Sequence, residues 1–155
     1  MRDSVQLLVQ LSAEEEALLR AFGRVQALLA RAVDADMICE QHLPLSEYTT
    51  LQVLSEAPDR RLRMNELASA CDLSFSGMSR IVHRLESLGL IERVRCEDDG
   101  RGFNAVLTDA GLNRLQQAWP SNLASVRRHI FDHLDGIDVA QVTRALERIA
   151  DANKG

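Results

Sequence analysis

A mainly α-helical fold with one small β-hairpin is what this 155-residue sequence predicts. Three observations carry that reading. Apolar residues recur at steps of three and four along most of the chain, from Leu18 to Met37 and again from Val142 to Ile149. The period becomes that of strands over residues 90–95 and 103–107, on either side of Glu97-Asp98-Asp99-Gly100-Arg101-Gly102, a turn rich in Asp and Gly. Residues 74–88, SFSGMSRIVHRLESL, combine an apolar stripe with an arginine-bearing polar face and run straight into that hairpin.

The first helix is expected over residues 14–40, where Leu18, Phe22, Val25, Leu29, Val33 and Met37 share one face. His42-Leu43-Pro44 breaks it, because the residue before a proline avoids helical geometry. Ser46 offers an N-cap to a second helix over residues 47–56, closed by Ala57-Pro58-Asp59. A short third helix over residues 64–71 packs Leu67 and Ala68. After the Asp72-Leu73 link, Ser74 caps a fourth helix that buries Met78, Ile81, Val82, Leu85 and Leu88. Gly89 ends it where left-handed backbone is wanted. Beyond the hairpin, Thr108 caps a helix that runs through Leu112 and Leu115 towards Phe131, with Pro120 expected to kink or interrupt it. Asp138 and Gln141 have capping-box spacing at the start of a last helix, whose stripe is Val142, Leu146 and Ile149.

Length suits a single domain, residues 1–155, large enough for a true core. No run of 18 apolar residues and no signal-peptide pattern occurs, so a soluble, cytoplasmic protein without membrane contact is expected. Three cysteines without a CxxC favour reduced thiols over a disulfide framework. The net charge of −5 argues at first against nucleic acid. Its distribution argues the other way: residues 60–95 hold 7 arginines against 4 acids, whereas residues 1–59 hold 4 basic and 10 acidic groups. An acidic body with one basic face repels DNA everywhere except at that face.

Residues 45–108 therefore read as a winged helix-turn-helix module for double-stranded DNA, flanked by helices at both ends. The candidate contact residues are Ser74, Ser76, Gly77, Ser79, Arg80, His83 and Arg84 on the fourth helix, with Arg95, Asp99 and Arg101 in the wing. A helix start rich in Ser and Gly can approach a groove floor closely, and its hydroxyls can donate to phosphates or bases. Arg80, one turn further along, can fork onto guanine O6 and N7. His83 and Arg84 sit nearer the helix end, better placed for phosphate. Arg101, on a short loop, suits a narrow minor groove of enhanced negative potential. The bland alternative, a solvated polar face, explains the helix alone but not helix, glycine stop and arginine-tipped hairpin in succession.

Leu45-Ser46-Glu47-Tyr48, Met64-Asn65-Glu66-Leu67-Ala68, residues 76–86, Gly89-Leu90-Ile91 and Asp99-Gly100-Arg101 ahead of Leu107-Thr108 together resemble the MarR (multiple antibiotic resistance regulator) family, over roughly residues 15–135. The resemblance implies a homodimer in which helices at 14–40 and 109–155 interlace and two winged modules meet a pseudo-palindromic operator. It places Ser74, Ser76, Ser79, Arg80 and Arg84 at the major groove, and Arg101 in the minor groove with Asp99 orienting it. It also implies a repressor released by a small ligand, aromatic or phenolic. Phe75 and His83 depart from the family pattern, which commonly has a polar or basic residue and an acidic one there.

Other chemistries find less support. His129 and His133, four apart with Asp132 and Asp135 near, have spacing that can bind zinc, but no second His/Cys cluster accompanies them, and packing is the expected role. No metal or cofactor is assigned. Cys71 is expected in the core, Cys39 near a ligand cleft and Cys96 in the wing; a metal- or thiol-responsive regulator of the same fold is the alternative reading. Trp119 beside Pro120 reads as core or interface filler. No Gly-rich phosphate loop, Gly-x-Ser-x-Gly elbow or HExxH occurs, so no enzyme is expected. A ligand- or protein-binding module that keeps the fold without using DNA is the remaining alternative.

Overall fold

The computed structural model describes residues 10–96 and 102–153. Helix α1 (Ala13–Gln41) is opened by a reciprocal cap not read from the sequence: the Glu15 N–H donates to Ser12 Oγ at 3.1 Å, and the Ser12 N–H donates to the Glu15 carboxylate at 2.7 Å. Helix α2 (Leu45–Glu56) starts earlier than expected, so Ser46 lies inside it and is not its cap. Pro44 occupies the cap position without a capping side chain, and the Leu45 N–H donates instead to Asp34 Oδ1 of α1 at 2.8 Å. That bond ties α2 to α1 where the sequence offers no local cap.

After a 3₁₀ turn comes β1 (Arg61–Arg63), a strand the sequence pattern does not announce. Helices α3 (Met64–Ala70) and α4 (Phe75–Ser87) follow, then β2 (Ile91–Arg95) and β3 (Phe103–Leu107). The expected hairpin is thus the larger part of a three-stranded antiparallel sheet of order β1-β3-β2, in which Leu62 opposes Ala105 and Arg95 opposes Phe103. Helix α5 (Asp109–His129) passes Pro120 without interruption, contrary to a break there. One missing N–H removes a single bond from a helix of 21 residues held on both sides of it. Helix α6 (Val139–Ala152) is capped by Asp138, whose side chain accepts from the Gln141 N–H.

The core is one cluster centred on Met37, Leu51, Leu54, Leu67, Met78, Val82, Leu85 and Ile91, drawn from α1, α2, α3, α4 and β2. Met78, Val82 and Leu85 are buried as the periodicity of α4 requires, with Ile81 packed at the edge. Leu88 is a correction: it stands at the C-cap, 56% exposed, because the helix ends before the stripe reaches it. Gly89 follows at φ +71°, the left-handed stop. Thr108 closes the module on itself. Its Oγ1 donates to the Gly89 carbonyl at 2.7 Å and accepts from the Gly111 N–H at 3.0 Å, so one hydroxyl caps α5 and fastens it to the end of α4.

The two ends of the chain behave differently. On α1 only Val33 and Met37 are buried, while Leu18 and Val25 of the same stripe are 69% and 52% exposed. Helix α6 buries none of its residues, although its apolar stripe is clear. Trp119 is half exposed on α5, so it is not core filler within this chain.

Candidate nucleic-acid interface

The polar face of α4 begins at its cap. The Gly77 N–H donates to Ser74 Oγ at 3.1 Å, and the Ser74 and Ser76 hydroxyls lie 3.3 Å apart. Ser74 is therefore spent chiefly on starting the helix, and Ser76 carries the freer hydroxyl. Gly77 leaves little room: a Cβ there would stand 3.2 Å from Ser74 Oγ. Beyond the cap, Ser76, Arg80, His83 and Arg84 are exposed and Ser79 is half-buried. Arg80 and His83 make no side-chain hydrogen bond or ion pair with any described residue. An unpaired guanidinium on the outward face of a capped helix keeps its whole fork available for an acceptor.

Arg84 is placed differently. Its Nε donates to Glu47 Oε1 at 2.6 Å, and Glu47 is a buried residue of α2. The pair pins α4 to the core through α2 and leaves the Arg84 side chain largely exposed. Arg84→Ala is expected to lower stability by about 1–3 kcal/mol, the cost of leaving a buried carboxylate unpaired. A denaturant titration checks this; an unchanged midpoint would show that Glu47 does not depend on Arg84.

In the sheet, Arg93 Nε donates to Glu86 Oε2 of α4 at 2.8 Å, so the wing is anchored to the helix. The guanidinium carbons of Arg93 and Arg95 each stand 6.0 Å from the centroid of the Phe103 ring, which orders both side chains. Arg61 and Arg63, exposed on β1, add positive charge beside the wing that sequence reasoning did not assign to the site. The excess of arginine over residues 60–95 included both, but nothing along the chain placed them beside the wing. Asp99 and Arg101, read as the wing tip, lie outside the described residues.

The histidine and cysteine candidates do not come together. Helix α5 ends at His129, Ile130 leaves helical geometry at φ −127°, and His133 sits in a separate 3₁₀ turn. The two histidines therefore do not share a helical face as their spacing implied. His129 Nε2 lies 2.9 Å from Asp36 Oδ2 of α1, which also accepts from Ser125 Oγ at 2.7 Å and from Arg128 at 3.2 Å. Hydrogen bonds from Ser125 and His129, helped by the Arg128 charge, hold the Asp36 carboxyl below its ordinary value of 3.8 despite partial burial. Stability from a depressed carboxyl is present above the ordinary value and is lost as pH falls through the depressed one. Asp36→Asn is expected to weaken the α1–α5 link at neutral pH and to flatten the acid limb of a stability-against-pH curve. An unchanged acid limb would contradict the assignment. Cys71 packs against the core with its thiol pushed up by burial, the environment of a structural cysteine. Cys96 is buried with its Sγ 3.4 Å from Asn104 Oδ1, and Cys39 is exposed on α1.

A short helix, a tight turn, a capped helix with an open arginine face and a sheet folded back beside it define a winged helix-turn-helix module of the DNA-binding class. The MarR family model matches residues 43–102. Sco3205, a MarR family transcriptional regulator from Streptomyces coelicolor solved in complex with DNA, is 32% identical and superposes with a TM-score of 0.85 over 94% of this chain and 92% of that one. AbsC, a MarR family transcriptional regulator from the same organism, is 36% identical with a TM-score of 0.82 over 92% and 96%. The apo form of wild-type MarR from E. coli, at 19% identity and a TM-score of 0.69 over 85% and 95%, shares the fold. Among curated proteins nothing matches the chain. The chain belongs to the MarR family, and it is a DNA-binding transcriptional regulator.

Proposed function

We propose that the chain works in the cytoplasm as a homodimeric repressor, sequence-specific for a pseudo-palindromic operator and released by a small aromatic or phenolic ligand. The observation that carries this reading is a bare apolar groove at the open end of the molecule. Leu11 just before α1 and Leu18, Leu19 and Phe22 within it line, with Val142, Ala145, Leu146 and Ile149 of α6, a cavity of about 580 Å³. Apolar surface of this kind calls for a partner, and two copies interlacing their first and last helices would cover it. Residues 14–40 and 109–155 then act as the dimer arms and residues 45–108 as the DNA module.

In such a dimer two α4 helices enter successive major grooves about one helical turn apart. Ser76, Ser79 and Arg80 read the groove, with Ser74 and Gly77 allowing close approach. His83, Arg84 and Arg95 meet phosphates, and Asp99 and Arg101 belong to the minor-groove contact. A ligand needs to favour only the wrong spacing of the two modules by a few kcal/mol to empty the operator. A cleft of about 410 Å³ lies where it would act, between Ala30, Arg31 and Asp34 of α1, Leu45 and Thr49 of α2, and Cys71 and Leu73 at the turn before α4. Its walls are mostly apolar, with Arg31 and Asp34 as the charged residues of its lining. Light scattering together with DNA binding in the presence of hydroxybenzoates tests the proposal. A dimer that loses DNA as ligand rises is expected; a monomer, or binding indifferent to any such ligand, would overturn the respective half.

A further inference from the structure

We infer that Phe75 reads the C5-methyl group of a thymine in each half-site, an inference that rests on α4 being the helix that enters the major groove. Phe75 is the first residue of α4, directly after the Ser74 cap, and it is 57% exposed. Phe75 lines a crevice of about 240 Å³ with Arg63, Met64, Cys96 and Phe103. Phe75 thus borders the sheet side of the module while more than half of its surface stays open to solvent. Phe75 and Ser79 are four apart and share a flank of the helix, next to the outward face that carries Ser76 and Arg80.

A single exposed phenylalanine is ordinary on a protein surface. Here its setting is not. Arg63 lines the same crevice and the Arg95 guanidinium stands 6.0 Å from the Phe103 ring of that crevice, so this side of the module favours phosphate, to which an aromatic ring contributes nothing. Within a major groove the thymine methyl is the apolar group that base edges present, and phenylalanine is one of the side chains that contacts it. Covering it removes both apolar surfaces from water. The ring therefore adds a preference for thymine that serine hydroxyls and the arginine fork do not supply.

The test starts from a duplex enriched from a random-sequence pool by the full-length protein, with each thymine then replaced in turn by deoxyuracil, which lacks only the methyl. Wild-type protein is expected to lose about fourfold in affinity for each methyl contacted, or about fifteenfold when both half-sites are changed. Phe75→Ala is expected to bind thymine and uracil duplexes equally, and Phe75→Leu to keep part of the discrimination. A wild type indifferent to uracil at every position, or a Phe75→Ala variant that still discriminates, overturns the inference alone. Failure to enrich any duplex overturns the DNA reading and the inference with it.

Discussion

Gly111→Ala is expected to cost about 3 kcal/mol or more of stability, although alanine is the better helix former by about 1 kcal/mol. Gly111 is buried in the first turn of α5, against the end of β3 and the segment that follows α4. A Cβ there would stand 2.1 Å from the Leu90 carbonyl oxygen and 2.6 Å from Leu107 Cδ1. The Leu107 side chain can rotate; the carbonyl cannot, because it accepts the Thr108 N–H at 3.2 Å in the seam between α4 and α5. Steric overlap therefore outweighs helix propensity. For a chain of this length the melting temperature is expected to fall by about 6–12 °C. A melting temperature unchanged or raised would show that the two segments do not meet this closely.

Arg80→Ala is expected to act in the opposite sense, leaving stability within about 0.5 kcal/mol of wild type while weakening specific binding by about 1–3 kcal/mol for each bidentate base pairing it removes. The basis is its isolation: Arg80 is exposed and forms no ion pair with a described residue. Arg84 provides the contrast, since its bond to Glu47 makes a loss of binding in Arg84→Ala inseparable from a loss of stability. Thermal melts and DNA titrations of the two variants side by side separate a DNA-reading residue from a structural one. Full affinity in Arg80→Ala would exclude direct readout of base edges by this side chain.

The features legible in the sequence were those set by neighbours along the chain. The cap at Ser74, the stripe of Met78, Val82 and Leu85, the stop at Gly89 and the cap at Thr108 depend on residues within a turn or two, and each stands where spacing placed it. What escaped depends on distant partners or on very short elements. Strand β1 has three residues, too few for a period, and exists because β3 offers it an edge. The cap of α2 comes from Asp34 on another helix, and the hold on Arg84 comes from Glu47 in α2. Nothing like a glycine or proline marks Ile130 as a helix end, so the spacing of His129 and His133 overstated their proximity. Arg61 and Arg63 join the basic face only once the sheet has formed.

The α4 face as a specific DNA interface is tested most directly by fluorescence anisotropy. The duplex is the DNA immediately upstream of this protein's own coding region, measured at two salt concentrations beside a scrambled duplex. Wild-type protein is expected to bind the upstream duplex more tightly than the scrambled one and to weaken steeply as salt rises, with Arg80→Ala abolishing most of the preference. No binding to either duplex at low salt would contradict it.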